Sequence, residues 1–279
     1  IIAGTVIGVG VFGLPYVAAQ AGFGIVAGYL AWGTVTAILA SLVFGELMYR
    51  SRHLHRVPGY VADYLGPRWG RLVFTSATVG LLGGQLVYLL VGGHFLHQLL
   101  GPVLGGGEWA YVAAYAVAGS LIIYASGRVL AGSELLMLPV MLLAVGLIVA
   151  VASTLADWSR LLPIQPSRVL LPYGVVMFSI WGISAVGETR DYLGVRHARL
   201  LKPAVVTSFS LCAAVYLAFT ASVLAATGEA TTPDALGGLR ARLGVGVIAP
   251  FYLFGILTTF TSYVSLGQTI KKIFVLDAR

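Results

Sequence analysis

Charged positions in this chain neither alternate with apolar ones nor recur at a helical period. They fall in clumps, separated by uncharged runs at 1–45, 72–107, 109–127, 135–156, 169–187, 203–228 and 243–270. A helix that crosses the roughly 30 Å of bilayer hydrocarbon needs about 20 such residues. The first run is long enough for two crossings, with Gln20-Ala21-Gly22-Phe23-Gly24 as the turn between them. The pattern therefore predicts eight transmembrane helices and an all-α polytopic membrane protein. Composition agrees: 58% of the 279 residues are hydrophobic and 10% are charged, against roughly 25% charged in soluble domains.

The apolar start is too long, and lacks the basic flank, to be a secretory signal peptide. Both ends read as cut, since no initiator Met precedes Ile1 and the chain stops just after the eighth run. A longer parent protein is expected. The net charge of +7 raises the question of nucleic acid, but its placement points elsewhere. With a cytoplasmic N-terminus, the loops after spans 2, 4, 6 and 8 hold 13 of the 17 Lys and Arg residues. Only Arg160, Arg168, Arg240 and Arg242 lie on the other side. This asymmetry orients both termini to the cytoplasm, and no nucleic-acid partner is expected. Cys212, the single cysteine, lies within an apolar run and reads as a small buried hydrophobe.

Glycine marks the weak points. Gly8-Val9-Gly10-Val11-Phe12-Gly13 matches a dinucleotide-binding fingerprint in form. That motif needs a preceding strand and an acidic residue about 20 positions on. Here Leu14-Pro15 follows the last glycine, and the first ionisable residue is Glu46. Each glycine costs a helix interior about 1 kcal/mol relative to Ala, and proline about 3. Gly4, Gly8, Gly10, Gly13 and Pro15 within twelve residues thus predict a broken span 1. Gly4 and Gly8 alone would also suit a small-residue packing face. Span 6 offers a second interruption, with Ser179, Trp181, Gly182 and Ser184 at its middle. Breaks five spans apart are what an inverted five-helix repeat produces, with substrate held at the midplane. Span 8 carries Thr258, Thr259, Thr261, Ser262 and Ser265. Hydroxyls in a span commonly bond their own helix, but with freed span 1 carbonyls they form an all-oxygen set suited to sodium.

These stretches resemble the amino acid permeases of the amino acid–polyamine–organocation superfamily, closest to the amino acid/auxin and aromatic amino acid permease branches. "GTVIGVGVFGLPYVAAQAGF" is similar to their first helix and "FGELMYR" to the acidic close of helix 2. "PGYVADYLGPRWGRL" resembles their helix 2–3 loop and "FTSYVSLGQTIKKIF" their helix 8. The resemblance implies helices 1–8 of about eleven, in a leucine-transporter-like fold. Residues 1–156 would form the first five-helix repeat and 169–279 part of the second. It also implies a secondary active transporter working by alternating access in a bacterial or archaeal plasma membrane. Backbone at Gly8, Val9 and Gly10 would take the substrate carboxylate. Carbonyls around Phe178, Ser179 and Trp181 would take its amino group, with Gly182 permitting the break. Phe12 and Trp181 would shape the side-chain pocket. Thr261 and Ser262, with carbonyls near Thr5 and Val6, would occupy a sodium position. Some relatives instead place a lysine on helix 5 for proton coupling, and span 5 here has none. The coupling ion stays open between Na+ and H+, and no other cofactor is implied.

Ionisable residues near the membrane interior are candidates by default. Glu46 and Glu188 close spans 2 and 6 beside Arg50 and Arg190, as gate ion pairs or as ordinary interfacial charges. His94 and His97 lie one turn apart in span 3. They are too few for a metal site, which leaves His94 as a proton-coupling candidate. Glu134 reads as a charge at the head of span 5. Most aromatics suit interface belts, with Tyr88 and Trp181 expected to reach a pocket. No zincin motif, P-loop or cysteine motif is present, so an enzyme is not expected. The second reading is a receptor on the permease fold that binds an amino acid without moving it. Oligomeric state and the identity of the amino acid are not legible.

Overall fold

The computed structural model describes residues 1–51, 55–125 and 128–277. Span 1 is two helices, α1 (Ile2–Val6) and α2 (Gly10–Ala21), and span 2 is α3 (Phe23–Arg50). A short helix, α4 (Val57–Leu65), leads into span 3, α5 (Pro67–Leu104). Spans 4 and 5 are α6 (Glu108–Ala125) and α7 (Arg128–Ser153). Span 6 is again split, into α8 (Leu171–Ile180) and α9 (Ile183–Leu193). Span 7 is α10 (Leu201–Thr227); a short α11 (Leu236–Leu243) then precedes span 8, α12 (Val245–Asp277). No strand occurs among the described residues. Among the described residues, five helical segments are long and apolar enough to cross a membrane, the stretch from Leu171 to Leu193 counted as one. α6 and α7 contribute shorter apolar stretches. Span 1 fails that length test because it is interrupted. The protein is an all-α polytopic membrane protein.

Several boundaries differ from the sequence expectation for physical reasons. α5 starts at Pro67 rather than after Arg71, because long arginine side chains can carry their charge to the interface while the helix continues. α7 starts at Arg128, which puts Glu134 in its second turn rather than at its head. The side chain of Glu134 lies outside the described residues, as do those of Arg52, Arg128, Lys272 and Arg279. Pro15 does not take part in the break of span 1. It sits inside α2 and is buried, removing one rung of that helix without ending it. Pro172 likewise occupies the first turn of α8, where its missing N–H has no partner to lose.

α10 is the central post. Leu201, Val205, Phe209, Cys212, Tyr216, Phe219 and Val223 recur every three or four residues and are buried. They form one stripe against α1, α2, α3 and α7. The reverse pattern marks the periphery: Trp32, Val35, Leu39 and Val43 line an exposed apolar face of α3. Leu72, Val79, Leu82 and Leu86 do the same on α5. Contiguous apolar faces of this length suit contact with lipid rather than water.

The turn between spans 1 and 2 shrinks to Gly22, at φ 109° and ψ 141°. Its N–H donates to the Ala18 carbonyl at 2.8 Å, and the Gln165 N–H to the Ala21 carbonyl at 2.9 Å. A Cβ on Gly22 would stand 2.6 Å from the Pro163 carbonyl oxygen. Both the dihedral and the space therefore demand glycine. Gly22→Ala should cost about 2 kcal/mol or more, a fall of about 5 °C in the melting temperature of purified protein. Gly28→Ala, where the added Cβ meets nothing, should be neutral or slightly stabilising, since alanine suits a helix interior better. Equal melting temperatures for the two variants would contradict this account of the turn.

Candidate functional site

The first break occupies Ile7, Gly8 and Val9, all buried. α1 closes with the Ile7 N–H on the Ala3 carbonyl at 2.9 Å. The first turn of α2 is already engaged, Val11 N–H on the Gly8 carbonyl (3.3 Å) and Phe12 N–H on the Val9 carbonyl (3.1 Å). The donors left by the interruption are the amides of Gly8, Val9 and Gly10, and the acceptors are the last carbonyls of α1. The second break is Trp181-Gly182, with α8 ending in extended backbone at Trp181 (φ −74°, ψ 110°). α9 then restarts with the Ala185 N–H on the Gly182 carbonyl at 3.1 Å.

The two interruptions lie against one another. A Cβ on Gly10 would stand 2.5 Å from Ser179 Oγ and 2.6 Å from Ser179 Cα. A Cβ on Gly182 would run into the side chain of Val6. Gly182 itself has φ −141°, open to any residue, so close approach rather than dihedral freedom requires glycine there. On the other side of the first break, a Cβ on Gly8 would meet the Tyr88 hydroxyl at 2.6 Å and Ser262 Oγ at 3.2 Å. Helices α5 and α12 thus present hydroxyls to the interruption of span 1.

Of the residues singled out in sequence, Gly8, Val9, Gly10, Ser179 and Gly182 come together at this junction. Phe178 lies beside Tyr88, ring centroids 6.0 Å apart. Trp181 is part of the second break and is 66% exposed. Phe12 is buried in an aromatic cluster, edge-to-face with Phe95 at 4.9 Å and Phe219 at 5.9 Å. Of the four sodium candidates, Ser262 reaches the break. The hydroxyls of Thr5 and Thr261 donate to carbonyls of their own helices. The Val6 carbonyl is met by a residue the sequence reading passed over, Tyr216. Its hydroxyl lies 2.6 Å from the Val6 carbonyl and 2.9 Å from that of Ser179, with the Gly8 amide beside it. The available signal was a tyrosine in mid-span rather than near an end: a buried phenol must find partners.

The tryptophan/tyrosine permease family matches residues 1–230, which include both breaks and Tyr216. The chain belongs to this family. No curated protein matches the sequence. The permease is therefore an integral membrane protein of amino acid transport. α11 and α12 lie beyond the matched residues.

The remaining ionisable candidates of the permease lie away from the breaks. Glu46 pairs with Arg50 at 2.5 Å on an exposed turn of α3. Glu188 is half-buried on α9, where Arg190 reaches Asp191 (3.4 Å) and covers the ring of Tyr49 (5.4 Å). At the end of α5 away from α4, the ring of His94 bridges two carboxylates. Its Nδ1 lies 2.8 Å from Glu108 Oε1, at the start of α6, and its Nε2 lies 3.5 Å from Asp234 Oδ2, just before α11. The carboxylates face opposite nitrogens, so they do not converge as metal ligands. Among the described residues no cluster of three or more His, Cys, Asp or Glu suited to a metal occurs. His97 packs on Tyr111 instead.

Burial by itself would raise the Asp234 carboxyl. Hydrogen bonds from His94, the Thr232 hydroxyl and the Gly237 N–H outweigh it and hold the group below the usual carboxylate range. Such a group stabilises the fold fully above its unfolded value, about 3.9. The contribution disappears as pH falls through the depressed folded value. Wild-type melting temperature should therefore drop more steeply below about pH 4 than that of Asp234→Asn, and the Asn variant should be less stable at neutral pH. Parallel curves would show that this carboxylate does not anchor the α10–α11 connection.

Proposed function

We propose that the chain carries aromatic amino acids across the membrane by alternating access. The observation that carries this reading is the junction of two interrupted helices, where the amides of Val9 and Gly10, left without helical acceptors, stand beside the end of α8 and the Gly8 amide faces the Tyr216 hydroxyl. Amides at a helix start suit a carboxylate, and carbonyls at a helix end suit an ammonium group. Membership of a tryptophan/tyrosine permease family supports an aromatic side chain on the substrate. Tyr88 beside Gly8, Phe178 beside Tyr88, and Trp181 at the second break are candidates to meet it, with Phe12 in the first turn of α2. Residues 1–156 and 169–279 are read as a five-helix repeat and part of its inverted partner, because the breaks fall in the first helix of each. The superfamily assignment rests on the same correspondence.

Coupling to Na+ or H+ belongs to this proposal. Ser262 and the backbone at Thr5 and Val6 offer oxygen atoms at the first break, with Thr261, the neighbour of Ser262 on α12, as the remaining candidate. The threonine hydroxyls donate within their own helices, which leaves their lone pairs to accept a cation. His94 and Glu188 remain the candidates for proton coupling and gating, with Glu46 on the surface beside Arg50. The basic loops support cytoplasmic termini in a plasma membrane.

Uptake of radiolabelled tryptophan and tyrosine into proteoliposomes, driven by a sodium gradient, a proton gradient or neither, tests the proposal. Gradient-dependent accumulation is expected, and Gly10→Leu should abolish it by wedging α2 from Ser179. Saturable binding without uptake under either gradient would overturn transport and leave the receptor.

A further inference from the structure

We propose that Tyr216 is a positioning residue of the transport cycle. Its hydroxyl and the substrate's amino group are alternative donors to the same two carbonyls, those of Val6 and Ser179. The inference rests on the reading of the breaks as the substrate site and goes beyond it to what occupies the acceptors between turnovers.

The geometry is specific. A phenol has one hydrogen to donate, yet the Tyr216 oxygen stands 2.6 Å from the Val6 carbonyl and 2.9 Å from the Ser179 carbonyl. Val6 ends α1 and Ser179 lies one residue from the end of α8, so each acceptor belongs to a different interruption. One proton shared between two acceptors serves neither fully. A hydroxyl that merely needed a partner would be satisfied by one of them. Tyr216 is fully buried, so its hydroxyl is not exposed to bulk water. The ring is held on α10 within the buried stripe that includes Phe209, Cys212 and Phe219, which fixes where the hydroxyl stands.

A primary ammonium group carries three donors and can serve both carbonyls at once. Without substrate, Tyr216 holds the ends of α1 and α8 together by their carbonyls. With substrate, the ammonium takes the acceptors, and the phenol oxygen stays beside the Gly8 amide. Tyr216 thereby weakens binding of the amino group and speeds its release, while keeping the empty site paired.

The experiment uses the full-length protein in proteoliposomes and compares tryptophan with its des-amino analogue, indole-3-propionate. Tyr216→Phe removes the competing donor and retains the ring. It should lower KM for tryptophan about tenfold, lower kcat, and leave the inhibition constant of indole-3-propionate within about twofold. Preference for the amino group thus widens about tenfold, or about 1.4 kcal/mol. Incorporation of 3-fluorotyrosine at position 216 keeps the shape and strengthens the donor, so the preference should narrow. This second substitution decides the matter if the Phe protein fails to fold. A preference unchanged by the fluorinated residue, or lowered affinity for both ligands in Tyr216→Phe, would make Tyr216 a structural pin and overturn the proposal. A wild-type protein that binds neither tryptophan nor tyrosine would overturn the reading of the site together with this inference.

Discussion

An amide or carbonyl freed from a helix in hydrocarbon has no water to turn to, and each unpaired group costs several kcal/mol. Two such interruptions in one bundle are tolerable only if each supplies what the other lacks. Here they are set against one another, so that the end of α1 and the end of α8 share the Tyr216 hydroxyl. The remaining architecture follows from the need to bring those segments together. α10 stands where it can reach both breaks, and its side toward them is a continuous buried stripe. α5 and α12 close the first break from another direction, through Tyr88 and Ser262.

Glycine's part in this arrangement is mostly spatial. The backbones of α2 and α8 approach until Gly10 has no room for a methyl group beside Ser179, and Gly182 none beside Val6. Neither Gly8, Gly10 nor Gly182 has a positive φ. The glycine run at the start of the chain thus shares its spelling with a phosphate loop and part of its chemistry, since both expose backbone amides. In this permease no strand precedes it, and the segment is enclosed by helices on all the sides described.

The His94 cluster is linked to the junction by direct packing. Phe95, next to His94, is fully buried, stacks edge-on with Phe12 of α2, and fills the space over Gly255 of α12. Asp234 ties the same histidine to the connection between α10 and α11. The ends of α5, α6 and α10 are therefore joined by charge at a point one aromatic layer from the broken helix. Gln98 extends this network to Arg240 of α11. A rearrangement of span 1 would have to move Phe12 against Phe95, which makes that aromatic layer the mechanical contact between the ionic cluster and the breaks.

The sequence alone determined the class of protein and the places where its helices fail. Uncharged runs of membrane length and glycine crowded into span 1 are local properties, and hydrocarbon permits few structures that satisfy them. Span 6 was legible for the same reason, through Gly182 amid hydroxyls. Helix ends were less so: Pro15, Arg68 and Glu134 all lie inside helices that composition alone would have started or stopped elsewhere, because packing and long side chains absorb such residues. What tertiary structure decided was which groups answer the freed backbone. Tyr216 lies 210 residues from Val6 along the chain, and its mid-span position signals a need for partners without saying which groups supply them. The pairing of His94 with Glu108 and Asp234, and the seclusion of Phe12 among aromatic rings, depend equally on helices distant in sequence. A break advertises itself by the residues that cause it, whereas its partner is selected by distance, and distance exists only once the bundle has formed.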